Sequence, residues 1–385
     1  VTPLVRLLCD MFYRKDIQRK LKAIFSNFFF LILLFILLSP VGLSVEKNES
    51  PSRSAVSTVE YDTNGDQGEY FRFEHGAMAT TFAITFYTEN KGTPPDDFGR
   101  LAQEAFDLID DIEGRMSRYR PDSEITFINH RAVQEPVRLS ADLLELVTTV
   151  QVIYKDTQGA FDPTVGPLLK LWGFYQKDGI LPDRHTIEET LACVGFDKVQ
   201  ISPKERTVFF TREGMQLDLG GIAKGYAVDQ VVALLRRYGI KTAAVDAGTS
   251  SIFVLGAPMG KMGWRVRLRH PYDPARFVAE VTLKDVSFSA SGLGERYVEI
   301  DGKRYGHIFD PRTGFPVEGF ASTVAIAPSA TVSDALSTAF FVMGMENVIQ
   351  YTRNHPDVRA ILVPRSDSGD CEAVWINFSK SEDQP

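Results

Sequence analysis

From Tyr70 onward the hydrophobic pattern switches repeatedly between a period of two and a period near 3.6, with no linker or repeat between the switches. Such irregular order excludes a regular βαβ array and requires helices and sheets to share one core, an α+β fold. Thr80–Tyr87 alternates, with Phe82, Ile84 and Phe86 on one face, which predicts a half-buried strand. Leu101, Ala105, Leu108, Ile109, Ile112 and Met116 recur at helical spacing after Pro94 and Pro95. A second helix is expected after Ser140 as N-cap, stopping at Gly159. Short strands are expected at Thr207–Thr211, Met215–Leu217, Ala243–Val245, Ile252–Leu255, Trp264–Leu268, Val278–Leu283 and Thr323–Ala327, interrupted by helices at Ala223–Tyr238 and Val332–Met343. The expectation is a single compact domain over residues 70–385, with mixed β-sheets and packed helices.

Of the 385 residues, 44% are hydrophobic and 24% charged, so the chain can bury a core and is not disordered. The 42 Lys+Arg against 50 Asp+Glu give a formal charge of -8, which repels polyphosphate backbones and argues against nucleic acid as a partner. Cys9, Cys193 and Cys371 lie far apart and form no zinc-ligand spacing; whether Cys193 and Cys371 pair is left open.

Residues 1–27 carry six Lys/Arg and precede an unbroken apolar run, Phe28–Leu38. The run has the length of a signal-peptide core and falls short of the roughly 20 residues that span a bilayer. Ser39, Pro40, Gly42 and Ser44 follow, with small residues two apart as at a cleavage site, and no lipid-anchoring cysteine stands there. Residues 1–44 therefore read as a signal peptide or, if uncleaved, a membrane anchor. Residues 45–69 read as a flexible polar tether, and the body as exported, in the periplasm or on the outer face of the inner membrane.

Three segments carry chemistry. In Leu217–Gly225 a strand is expected to end in Gly220-Gly221, with a helix beginning behind them. Paired glycines admit a close ligand, and the helix N-terminus with Lys224 supplies N–H groups and positive potential for a phosphate or pyrophosphate. The other reading is a tight turn with a solvated lysine. Asp334 and Thr338 share one helical face, and their hard oxygens suit Mg²⁺; otherwise Asp334 caps the helix and Thr338 bonds back to a carbonyl. His307 stands before the turn Asp310-Pro311-Arg312-Thr313-Gly314, as a general base or as a structural histidine. The loops Met116–Ile125, with Tyr119, and Gly159–Gly166, with Phe161 and Asp162, offer rings to stack on a planar heterocycle and a carboxylate for its N–H groups.

Together and in this order, these segments resemble the FAD:protein FMN transferase family, also called the ApbE family, from Met78 through Met343. The resemblance implies an enzyme that binds FAD as substrate with Mg²⁺, cleaves the pyrophosphate, and joins FMN through a phosphoester to a threonine or serine of an acceptor flavoprotein such as a redox-pump subunit, releasing AMP. It places FAD contacts at Met78, Tyr119, Ala160, Phe161, Asp162, Asp218, Lys224 and Ile308. Metal contacts fall at Asp334, Thr338 and the Gly221 carbonyl, and the role of assisting deprotonation of the acceptor hydroxyl falls to His307. Three departures stand out: Met78-Ala79-Thr80 for the usual Met-Gly-Thr, Ala247-Gly248-Thr249-Ser250 for the common Gly-Gly-Asp or Gly-Gly-Asn, and Ser289-Ala290-Ser291-Gly292 where Thr-Ser-Gly is frequent. Two other functions use the same residues: an exported FAD-binding protein without transfer, and a magnesium-dependent FAD pyrophosphatase.

Overall fold

The computed structural model describes residues 57–60, 68–89, 95–175, 179–248, 250–293, 296–366 and 368–379. Residues 1–44, expected as a signal or anchor segment, most of the expected tether and Thr249 lie outside them. Among the described residues no helix is long and apolar enough to cross a membrane.

The strands are β1 (Ser57–Glu60), β2 (Glu69–Ala77), β3 (Thr80–Thr88), β4 (Val137–Arg138), β5 (Val199–Ser202), β6 (Thr207–Phe210), β7 (Ala243–Asp246), β8 (Ser251–Leu255), β9 (Trp264–His270), β10 (Asp273–Leu283), β11 (Val286–Gly292), β12 (Tyr297–Ile300), β13 (Lys303–Gly306), β14 (Phe320–Ala327), β15 (Arg359–Pro364) and β16 (Val374–Ile376). The helices are α1 (Pro95–Met116), α2 (Glu124–Arg131), α3 (Ala141–Asp156), α4 (Gly166–Leu171), α5 (Arg184–Leu191), α6 (Ala223–Arg237), α7 (Ala330–Met343) and α8 (Met345–Asn354). An eight-stranded sheet runs β16-β15-β14-β11-β8-β7-β3-β2, with every described pairing antiparallel. The architecture is α+β. Ser57–Glu60, within the span read as a tether, pairs with β9.

The large sheet is covered on both faces, which explains why β8 and β14 are buried along their whole length instead of alternating. One face packs against α1, α6 and α7 through Phe82, Ile84, Val245, Phe253 and Ala325. The other packs Ile252, Val254, Phe288 and Val324 against Trp264, Val266, Leu268 and Val281 of the three-stranded sheet β1-β9-β10. β11 alternates by chemistry: Phe288 and Ala290 face the small sheet, whereas Ser287, Ser289 and Ser291 meet hydroxyls of α7. A third cluster around the fully buried Trp172 joins α4, α5 and the β12–β13 hairpin to Phe309, and Trp172 Nε1 donates to Gly314 O at 3.2 Å.

Met215–Leu217, expected as a strand, joins no ladder. Its backbone is satisfied by a side chain instead: Asn129 Nδ2 donates to Leu217 O at 2.9 Å, and Leu217 N donates to Asn129 Oδ1 at 2.7 Å. α2 occupies part of what read as a loop, capped by Ser123, whose hydroxyl accepts from Thr126 N. Cys193 and Cys371 are both free thiols, in different clusters.

Candidate active site

The turn from Asp218 to Gly221 is held from three sides. Asp218 N donates to Pro163 O at 2.7 Å, Asp218 Oδ1 accepts from Gly220 N at 2.9 Å, and Tyr175 shares its hydroxyl proton between Asp218 Oδ2 at 3.2 Å and Gly166 O at 3.1 Å. Burial, then the Asp218 charge, raise the Tyr175 phenol well above its ordinary range, so it stays a donor. α6 begins behind this turn with no side-chain cap at Ile222. Ala223 N donates back to Leu219 O at 2.9 Å and Gly225 N to Asp334 at 2.9 Å, which leaves the Lys224 N–H without a partner among the described residues, and Lys224 Nζ lies 3.3 Å from Gly220 O.

A Cβ added to Gly221 would lie 3.3 Å from Phe161 Cε2 and 3.4 Å from Thr338 Oγ1, so the glycine turn, the Phe161 ring and the Thr338 hydroxyl converge. α7 comes this close because Gly225 has no side chain: a Cβ there would stand 2.1 Å from Ala330 O. Gly225 N donates to Asp334 Oδ2 at 2.9 Å across the crossing. The helix pair is locked again by Asp229 of α6, which accepts from Ala330 N and Thr331 N at 2.8 Å and takes hydroxyls from Ser329 and Thr331. Ser329 is the side-chain N-cap of α7, which removes capping as the role of Asp334. Ser291 Oγ lies 3.3 Å from Thr338 Oγ1 and 2.8 Å from Ser337 Oγ.

His307 and Arg296 flank the β12–β13 hairpin, whose ladder sets them opposite each other: His307 N donates to Arg296 O at 3.2 Å. His307 Nδ1 also lies 3.2 Å from that carbonyl, which can only accept, so Nδ1 carries the proton and Nε2 keeps a lone pair. Burial, then the Arg296 and Lys224 charges, push the His307 pKa down to about 4, leaving the ring neutral near pH 7. Arg296 also donates to Tyr119 OH at 3.1 Å, and the Tyr119 ring is 58% exposed, open to stacking.

Not every expected contact presents its side chain. Asp162 is buried, its Oδ1 accepting from Thr164 N at 2.8 Å and Thr164 Oγ1 at 2.6 Å, its Oδ2 from Phe196 N at 3.1 Å. Burial raises its pKa to about 6, and the carboxylate secures the loop that carries Ala160 and Phe161. Ile308 turns its side chain into the main core, and Met78 packs on that core from the β2–β3 turn, where Met78 and Ala79 take φ of 50° and 60°.

The ApbE family model matches residues 78–362. The chain belongs to the ApbE family. Among its relatives, an FAD:protein FMN transferase of Treponema pallidum is 34% identical over 310 residues, covering 77% of this chain and 84% of that one. An FAD:protein FMN transferase of Klebsiella pneumoniae is 32% identical over 268 residues, covering 69% and 83%. Among solved structures, an ApbE protein from Thermotoga maritima superposes with a TM-score of 0.70 at 32% identity, covering 79% of this chain and 96% of that one. The flavin transferase ApbE from Vibrio cholerae gives 0.70 at 28% identity, covering 80% and 97%.

In this ApbE chain, sequence reading passed over Arg118, Tyr175, Asp229 and Arg296. Asp229 lay on a helix already identified, one turn beyond Gly225, and the hydroxyl pair Ser329 and Thr331 ahead of an apolar helix was the available signal for what it caps. Nothing local marks Tyr175 or Arg296, since each acquires its partners through the fold. The oxygen set suits a hard cation: Asp334 Oδ1 accepts no hydrogen bond from a described residue, and Thr338 Oγ1 stands beside Gly221. Among the described residues no cluster of three His, Cys, Asp or Glu forms a protein-only cage. A sparse oxygen set of this kind fits Mg²⁺, which keeps waters and substrate phosphates as ligands.

Proposed function

We propose that this chain transfers FMN from FAD to a threonine or serine hydroxyl of an acceptor flavoprotein, with AMP as leaving group and Mg²⁺ bound by Asp334, Thr338 and the Gly221 carbonyl. The acceptor Oγ forms a bond to the FMN phosphorus, the phosphoanhydride P–O bond breaks, and the bridging oxygen departs on AMP. The proton of the acceptor hydroxyl passes to His307 Nε2. Bound Mg²⁺ would neutralise charge developing on the phosphate oxygens.

The observation that carries the reading is the convergence of the first turn of α6, with Lys224, and of Gly221 with Asp334 and Thr338, beside a histidine whose tautomer leaves Nε2 free. The low pKa of His307 fits this chemistry. Burial depresses it most and the Arg296 and Lys224 charges add to that; a bound pyrophosphate would offset the two charges and raise the basicity of the ring by that part. The exposed Tyr119 ring offers a stacking surface for a heterocycle. The same proposal includes an extracytoplasmic site of action, with the basic and apolar amino-terminal segment directing export or holding the domain at a membrane, and an acceptor such as a redox-pump subunit.

The test incubates the purified chain with FAD, Mg²⁺ and candidate acceptor flavoproteins, followed by mass spectrometry of the acceptor. A mass increase of one FMN on a threonine or serine is the expected result. FMN and AMP appearing free in solution, with no modified acceptor, would replace transfer by hydrolysis.

A further inference from the structure

Arg118 follows α1 directly and enters the site beside Tyr119. Its guanidinium carbon lies 3.1 Å from the Tyr175 ring centroid and 4.7 Å from that of Tyr119. Nε faces Asp218 Oδ2 at 3.6 Å, and the side chain is 18% exposed. Nη1 is closed off from water without a hydrogen-bond partner, and Nη2 meets no acceptor among the described residues. A guanidinium is always charged, so leaving its donors unpaired in a partly enclosed place is unfavourable until a ligand brings the acceptor.

The surrounding charge indicates which acceptor. Asp218, which faces Arg118 with one oxygen, holds Gly220 N with the other, so Arg118 stands one carboxylate away from the α6 N-terminus. Lys224 and Arg296 both lie near enough to depress His307. Three cations thus lie near the turn, and of these Arg118 faces the Asp218 carboxylate. Cations on this side of the turn suit the negative charges of a pyrophosphate, and a guanidinium N–H makes a charge-assisted bond to a phosphate oxygen.

We propose that Arg118 is a substrate-binding residue, its Nη2 donating to a phosphate oxygen of the flavin dinucleotide while Tyr175 and Asp218 fix the plane of the guanidinium. This rests on the reading of Gly220–Lys224 as the phosphate site. Lysine in its place would keep the charge and lose both the stacking on Tyr175 and the fixed direction of the donor.

The experiment titrates FAD, ADP and riboflavin into the full chain and into Arg118→Met and Arg118→Lys, with thermal melting of each to verify folding. Arg118→Met should weaken FAD and ADP by about ten- to a hundred-fold, the range of a charge-assisted hydrogen bond, and leave riboflavin unchanged. Arg118→Lys should fall between. Unchanged ADP binding in Arg118→Met, or a loss for riboflavin as large as for ADP, would overturn the assignment; if the methionine variant does not fold, wild-type affinity in the lysine variant does so. Wild-type protein that binds ADP but not FAD would remove the flavin reading, and the ADP series would still decide the role of Arg118.

Discussion

Replacing Gly225 by alanine tests whether the α6–α7 crossing builds the site. The new Cβ would lie 2.1 Å from Ala330 O, 2.6 Å from the carbonyl carbon of Ala330 and 2.7 Å from Asp334 Cβ. Two of the three are backbone atoms, so no rotamer change relieves the contact, and the helices have to part by roughly 1 Å to reach ordinary packing distance. Overpacking of this kind costs about 1–3 kcal/mol. Parting also stretches the 2.9 Å bond from Gly225 N to Asp334, a bond to a charged group worth about 1.5–3 kcal/mol. Alanine returns about 1 kcal/mol of helix propensity. The net is a destabilisation of about 2–4 kcal/mol, read as a melting midpoint lower by roughly 4–10 °C. Gly114→Ala in α1 is the control: nothing lies within 4 Å of its added Cβ, so the same change should stabilise by about 1 kcal/mol. Equal effects of the two substitutions, or a Gly225→Ala protein as stable as wild type, would refute the argument from the crossing.

Asp334→Asn keeps the shape of the crossing and removes the charge, so it should abolish Mg²⁺-dependent turnover with a melting midpoint near wild type, and Thr338→Val should be milder; Asp334→Ala would also orphan Gly225 N and confuse the two effects. His307→Gln should slow single-turnover transfer by about 10² to 10⁴ with FAD affinity little changed; collapse of affinity with normal transfer of bound FAD would make His307 a binding residue. Because its folded pKa, about 4, lies below the ordinary histidine value, the stability His307 contributes is present above about pH 6.5 and lost as pH falls toward 4. The difference in melting midpoint between wild type and His307→Gln should therefore narrow over that window, and a constant difference would show that the ring is not held neutral by the fold. Ala79→Gly relieves a φ of 60° in the β2–β3 turn and should stabilise by about 0.5–1 kcal/mol, measured by urea unfolding; a loss would mean that the Ala79 methyl group makes a contact worth more than its strain.

What could be read along the chain was what neighbouring residues dictate. The helical spacing of the α6 and α7 sequences, the Ser140 cap and the i, i+4 placement of Asp334 and Thr338 are all set within a few residues, and each appears in the fold. The Thr80–Tyr87 strand also forms, but it is buried on both faces from Phe82 to Tyr87 instead of half-buried, because the sheet is covered on both sides. Met215–Leu217 has the composition of a strand, yet its partner is the side chain of Asn129, 88 positions away. Asp162 looked like a ligand carboxylate because it lies in a loop; tertiary packing buries it, and both its oxygens accept hydrogen bonds from Thr164 and Phe196. Asp334 by itself looked more like a helix cap than a ligand, until Ser329 and Asp229 took the capping positions of α7 and Gly225 N reached it from 109 residues away. Backbone preference and hydrophobic period are local energies, so the sequence by itself determined the elements. Which polar group finds which partner is a property of the assembled core, and the tertiary structure alone decided which side chains remain unsatisfied and available to a substrate.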